Sequence, residues 1–346
     1  MRAVESRTGN EKQEARVHGV SVRALAALAA ALLACATLAG CATGPTSPGC
    51  TGDETREGAI PPDAVKQTPD TDLYPPLMLS VEFADPVPLP GPVNTAGSED
   101  APVVSRDGNT LFFFFTPDSS VEAEEQIYDC VTGIWWCQRT ARGWTEPERC
   151  FLSDDLALDG PMCEQDGTLW FASYRAGGYK DGDIYTANWN GSTWEWSNAG
   201  AQLNRDYQIG EVYLTAHGDT MVYQRDDSWP GEGEYDLWES YRVGGEWTAP
   251  LNLGSFVNTA TYDGWPYLSP DGSELWYTSF ASDHGYPGPS IYRTRRTERG
   301  WTVPEEMIAR YVGDPGMDAD GNLYFTHHYW DGEKTIETDI YVCYRF

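Results

Sequence analysis

The sequence predicts an all-β fold: a five-bladed β-propeller of four-stranded blades, with the last blade closed by an N-terminal strand. Three observations lead there. A turn-and-strand unit recurs about every fifty residues, the composition suits short strands and tight turns, and the chain ends one strand short of completing its fifth unit.

The turn comes first in each unit. Ser105 to Gly108 reads Ser-Arg-Asp-Gly, followed by Gln165 to Gly167, Ala216 to Gly218, Ser269 to Gly272 and Ala319 to Gly321. The closing glycines at 108, 167, 218, 272 and 321 lie 59, 51, 54 and 49 residues apart. An apolar run follows each turn, at Leu111–Phe115, Leu169–Phe171, Met221–Tyr223, Leu275–Tyr277 and Leu323–Phe325. A third strand follows at Gly133–Trp135, Asp183–Tyr185, Asp236–Trp238, Ser290–Tyr292 and Asp339–Tyr341.

A Trp and then a Pro mark an outer strand in three units, at Trp144/Pro147, Trp247/Pro250 and Trp301/Pro304. Proline is tolerated on an outer strand because one edge needs no ladder partner. Unit two has Trp194 and Trp196 and no proline there. One such sheet cannot bury both its faces, but a ring of them can. The chain stops at Phe346, before a fourth strand of the last unit. Val81 to Phe83 with Pro86, followed by Asn94-Thr95, echoes the outer-strand segment that precedes Asn258-Thr259. Residues 80–87 are therefore expected to complete the last blade and remove its free edges. Fourteen Trp, 20 Tyr and 11 Phe beside 35 Gly and 23 Pro suit this architecture.

The Ser-Pro-Asp-Gly, Asp-Ile-Tyr and Gly-Trp-x-x-Pro signatures resemble the WD40-like periplasmic repeats of TolB-type propellers. The resemblance covers residues 77–346, is best at about 261–307, and weakens in unit three, where His217 replaces the turn Asp. It implies a ring with a central funnel. Members of that family bind envelope proteins or form the non-catalytic part of larger enzymes, so the resemblance fixes no activity.

Ahead of the repeats, Ala24 to Gly40 is an uncharged Ala/Leu-rich run ending Leu38-Ala39-Gly40-Cys41. Seventeen residues suit a signal-peptide core better than a membrane span of about 20. The last four resemble the lipobox of bacterial lipoproteins, which implies lipidation of Cys41. Ala42 in place of Asp implies sorting to the outer membrane. The domain reading is a signal peptide at 1–40, a flexible tether at 41–76 and the propeller at 77–346. Contact with the membrane is expected through the lipid anchor only, in the bacterial cell envelope. With Cys35 removed and Cys41 acylated, six of eight cysteines remain, which 15 pairings could connect. A Cys50–Cys343 bridge would staple the two ends of the domain.

A formal charge of −30, from 23 basic and 53 acidic residues, excludes nucleic acid as a partner. There is no nucleophile elbow, zinc-binding helix or phosphate loop. Site candidates are the residues that begin the inner strands, Asp100, Asp159, Glu211, Asp263 and Asp314, which would ring the funnel mouth. Residues repeated in every blade more often hold turns than ligands, so unrepeated residues on the same face are candidates as well: Arg175, Arg225, His327 and Trp330, with His284, His328, Tyr174 and Trp229. No cofactor or metal site is expected, calcium at Asp181/Asp183 or Asp226/Asp227 being the one candidate, without EF-hand spacing. The expected function is a non-catalytic binding propeller for an envelope protein or a glycan. The alternatives are a glycoside hydrolase or lyase using funnel carboxylates, and a structural component of an envelope complex.

Overall fold

The computed structural model describes residues 54–346 except 153–156, 181 and 227–232. The signal-like run, Cys41, Cys50, Asp181, Asp227 and Trp229 lie outside the described residues. Five antiparallel sheets form the ring. Counted from the funnel outward, blade one is Ser98–Val104, Thr110–Thr116, Gly133–Thr140 and Glu148–Arg149. Blade two is Asp159–Gln165, Thr168–Ser173, Asp183–Trp189 and Trp194–Asn198. Blade three is Val212–Leu214, Thr220–Asp226, Tyr235–Val243 and Leu251–Asn252; blade four is Asp263–Leu268, Glu274–Ser279, Ser290–Thr297 and Glu305–Ala309. Blade five takes Val312–Met317, Leu323–Trp330 and Thr335–Cys343 from the end of the chain and Val87–Pro88 from its beginning.

The repeated turns work as their chemistry demands. Gly108, Gly167, Gly218, Gly272 and Gly321 all have φ between 62° and 83°, a region that costs other residues a Cβ clash. The turn Asp accepts from a hydroxyl two residues earlier, Ser105 Oγ to Asp107 at 2.6 Å and Ser269 Oγ to Asp271 at 2.7 Å. In blade three, where His217 stands in the turn, Asp219 accepts from Thr215 Oγ1 at 2.6 Å instead. Within a blade, the second and third strands are tied by directly opposed aromatics: Phe171 on Tyr185, Tyr277 on Tyr292 and Phe325 on Tyr341, with centroids 5.7–5.9 Å apart.

Ring closure follows the expectation and extends it. Val87 and Pro88 pair with Val342 and Tyr341, Ala84 N donates to Tyr344 O at 2.8 Å, and Phe346 N donates to Glu82 O at 3.1 Å. Asn94 then clamps blade five: its Nδ2 donates to Ile340 O at 2.9 Å, and its Oδ1 accepts from Ile340 N at 3.1 Å. Asn204 does the same to Ile184 and Asn258 to Leu237. The Asn-Thr echo seen in the sequence is thus a clamp holding one blade's third strand to the segment that leads into the next. Asn94→Ala would strand buried backbone groups, so it is expected to lower unfolding stability by about 1–3 kcal/mol. Urea unfolding checks this, with Asn258→Ala expected to cost a similar amount.

The expected staple between the ends of the domain is corrected. Cys343 is a free thiol buried in the sheet opposite Leu323, so it cannot staple the ends. Among the described residues, Cys130 is disulfide-bonded and Cys137, Cys150, Cys163 and Cys343 are free. The part of the tether from 54 to 76 packs on the ring, held by charged anchors where apolar ones are scarce. Arg56 is buried over Phe113, Phe115 and Trp135. Lys66 Nζ donates to Glu337 and Asp339 at 2.5 Å. Asp72 Oδ2 lies 2.7 Å from His327 Nε2. Leu77 and Met78 then add a strand to the outer edge of blade four.

Candidate functional site

Alternation along a strand puts adjacent side chains on opposite faces, yet four of the five inner strands break that rule where they reach the funnel. Register shifts fall between Asp100 and Val103, Pro161 and Cys163, Gly264 and Tyr267, and Gly313 and Gly316. Bulges of this kind re-aim side chains. Three carry non-glycine residues in the left-handed region, Ala101 at φ 49°, Trp265 at 47° and Asp314 at 54°, each of which costs of order 1–3 kcal/mol.

The bulges divide the predicted acidic ring. Asp100 from blade one, Glu211 from blade three and Asp314 from blade five converge. Burial and the Asp100 carboxylate push the Glu211 carboxyl up to about 8. Burial, Asp100 and Glu211 hold the Asp314 carboxyl well above its usual range. Both shifts have one cause, three carboxyl groups crowded where water cannot solvate three charges. Ala101 N donates to Asp100 Oδ1 at 2.8 Å and fixes it. Asp314 N donates to Thr278 Oγ1 at 3.2 Å. A cavity of about 20 Å³ lies between Glu211, Asp314, Trp265 and the inner-strand prolines, room for about one water molecule.

The other two ring members do structural work. Asp159 receives two hydrogen bonds from Arg175 Nη2 at 3.0 and 2.9 Å. Arg175 is in turn enclosed by Phe171, Tyr185 and Trp196. Asp263 is fully buried and accepts from Thr259 N and Oγ1. Its counterpart in blade one is Glu99, which accepts from Thr95 N at 3.0 Å and Thr95 Oγ1 at 2.6 Å. The tendency of repeated acids to hold turns therefore describes Asp263 and Glu99, and Asp100 one residue later is the acid that reaches the funnel.

The unrepeated candidates fall mostly outside the cluster. His327 faces Asp72 and Tyr311 O. Trp330 is buried in a stack on Tyr311, and Arg225 lies buried over Trp238. His284 binds Glu306 at 2.6 Å on the outside of blade four. The neighbour of His327, His328, enters the site. Burial pulls the titration of its imidazole below the ordinary value, and its Nδ1 is buried without a hydrogen-bond partner. Asp100, Asp314 and His328 present ligand atoms within 4.8 Å of one another, a set of two oxygens and one nitrogen that could hold a divalent cation. The calcium candidate Asp183 is occupied instead by Tyr179 N, Lys180 N and Asn198 Nδ2.

Sequence reasoning missed the wall behind Glu211. Tyr262 and Trp265 are buried with ring centroids 4.9 Å apart. Buried Gln224 Oε1 accepts from Tyr262 OH and Trp265 N at 3.0 Å. These groups exclude water beside the acid. The signal that could have marked them is Gly264-Trp265 in blade four, standing where blade one has Asp100-Ala101.

The raised Glu211 has a stability consequence. A carboxyl with a folded pKa near 8 and an ordinary value of 4.5 favours folding most below pH 4.5. That contribution is lost as pH rises toward 8. Glu211→Gln should therefore raise Tm at about pH 9 and leave it unchanged at about pH 4, as thermal scans at the two pH values would show.

No family model and no curated protein matches the chain. Among solved structures it is similar to a thermostable family-43 glycoside hydrolase, with 12% identity, TM-score 0.46, and coverage of 73% of this chain and 91% of that one. An endo-arabinase from Bacteroides thetaiotaomicron gives 12%, 0.44, 71% and 93%. A xylan β-1,4-xylosidase from Bacillus halodurans gives 11%, 0.45, 73% and 54%. At these identities the likeness is one of fold. The solved structures it resembles include these glycoside hydrolases and also a luciferin-regenerating enzyme and prolyl endopeptidases. The expectation of a non-catalytic binding ring is corrected on the crowded acid cluster in the funnel, and its stated alternative, a glycoside hydrolase, is carried forward.

Proposed function

We propose that the chain is a glycoside hydrolase acting on a neutral glycan at the funnel mouth. The observation that carries the reading is the convergence of Asp100, Glu211 and Asp314, where burial and the Asp100 carboxylate push the Glu211 carboxyl up to about 8. Glycoside hydrolysis needs such a pair: one carboxyl gives a proton to the leaving oxygen while the other, ionised, assists water or the sugar carbon. Glu211 is the general acid, kept protonated by Asp100 and by the dry aromatic wall behind it. Asp100 is the carboxylate, fixed by the bulge and by Ala101 N. Asp314 tunes the pair from the third side. A net charge of −30 favours neutral over anionic glycans.

The test is turnover of a panel of aryl glycosides, α-L-arabinofuranoside and β-D-xyloside included, together with neutral polysaccharides. Cleavage of at least one, lost in Asp100→Asn, supports the reading. A panel left intact between about pH 5 and pH 8 overturns it.

The segment ending Leu38-Ala39-Gly40-Cys41 supports a lipid anchor at Cys41 and action at the cell envelope. Radiolabelled palmitate should enter the parent protein in cells and not the Cys41→Ala variant. We assign the TolB-like turn signatures to blade construction, since their glycines and acids hold turns away from the funnel.

A further inference from the structure

Blade two departs from its neighbours at one register position, on the face opposite the funnel. In blade one Arg139 pairs across the strands with Trp144, in blade three Arg242 with Trp247, and in blade four Arg296 with Trp301. Each guanidinium covers its indole, at 4.9, 5.8 and 4.3 Å from the ring centroid. In blade two the same position pairs Trp189 with Trp194. The cationic cover is replaced by a second indole, and Trp189 is 45% exposed.

Two more rings complete the surface from blade one. Trp136 lies 6.2 Å from Trp189 and 6.3 Å from Trp194, and Phe112 lies 5.9 Å from Trp194. Together they line a cleft of about 460 Å³ between blades one and two, bordered by Arg106 and Asp166. The inner strand of blade two runs from Asp159 at the funnel to Gln165 beside this cleft. At about 3.3 Å per residue the two places are roughly 20 Å apart.

We propose that this cleft is a second glycan-binding site, separate from the funnel. Indole faces stack on the apolar C–H faces of sugar rings, and bordering carboxylate, guanidinium and amide groups suit their hydroxyls. The carboxylates Asp107, Glu164 and Asp166 outnumber Arg106 around the cleft, so its charge favours a neutral saccharide over an anionic one. Three blades show what this position contains when it only holds a blade together, and blade two departs toward exposed aromatic surface. The ligand class rests on the glycan reading of the funnel, whereas the geometry stands apart from it. The site would hold a polymeric substrate to the ring while the funnel works on a chain end or branch.

The experiment is native gel electrophoresis through soluble linear arabinan, arabinoxylan or mixed-linkage β-glucan. The full chain carries Glu211→Gln so that cleavage does not erode the matrix. At least one polysaccharide should retard it. Adding Trp189→Arg, which restores the pairing of the other blades, should weaken retention about tenfold or more. Trp189→Arg alone should leave Tm and kcat/KM on aryl glycosides at parent values. Equal retention with and without Trp189→Arg, or no retention by any of the three, overturns the proposal. Retention that depends on Trp189 in a protein that cleaves no glycoside would sink the catalytic reading and leave this one standing.

Discussion

Glu211→Gln is expected to lower kcat/KM by about 10²–10⁴-fold on a substrate with a poor leaving group, the range that positioned proton transfer contributes. The same change should cost far less on an aryl glycoside whose phenolate departs without protonation. Asp100→Asn should be severe on both, because its charge is needed whichever group leaves. In the parent protein kcat/KM should fall as pH rises through about 8, where Glu211 loses its proton. The Gln variant should lack that alkaline limb. Parallel pH profiles for parent and variant, or equal losses on the two substrates, would remove Glu211 from the acid's role.

The second large effect lies in the N-terminal segment. Arg56 is 1% exposed, donates to Val93 O at 2.9 Å and to Glu99 Oε1 at 3.3 Å, and lies over three aromatic rings of blade one. Glu99 is fully buried, and its carboxyl is pushed up to about 7 by burial, against the opposing pull of Arg56. Arg56→Ala removes the only cation bonded to that acid among the described residues. Breaking a buried pair from one side costs about 3–5 kcal/mol, so Arg56→Ala is expected to lose that much in urea unfolding near neutral pH. The sign with pH follows from the raised carboxyl. Its contribution to stability is present below the ordinary value of 4.5 and is lost as pH rises through about 7. The deficit of Arg56→Ala should therefore shrink toward about pH 5, where Glu99 can take up a proton. The double variant Arg56→Met, Glu99→Gln should recover part of the loss. A deficit below about 1 kcal/mol would show that residues 54–60 rest on the ring without holding it.

Both predictions turn on neighbouring acids, Glu99 and Asp100, that the sequence alone does not separate. The fold was legible because a blade is a local unit. Its Asp-Gly turn needs a left-handed residue, its second and third strands need opposed aromatics, and its outer strand tolerates Pro. Each requirement leaves a mark within about fifty residues of chain. The closing strand was legible for the same reason, since Asn94-Thr95 repeats Asn258-Thr259 in the clamp.

The site was legible only as a ring of five candidates. Its reduction to Asp100, Glu211 and Asp314 is decided by bulges and by partners distant in sequence. Arg175 takes up Asp159, Thr259 takes up Asp263, and Arg56 reaches Glu99 across 43 residues. The choice of His328 over His327 is likewise settled by Asp72, some 255 positions away. Local chemistry determined the blades, because turns and ladders are made between near neighbours. Closure of the ring decided the candidate site, because an acid's ionisation is set by whichever charges and rings five separate blades bring against it.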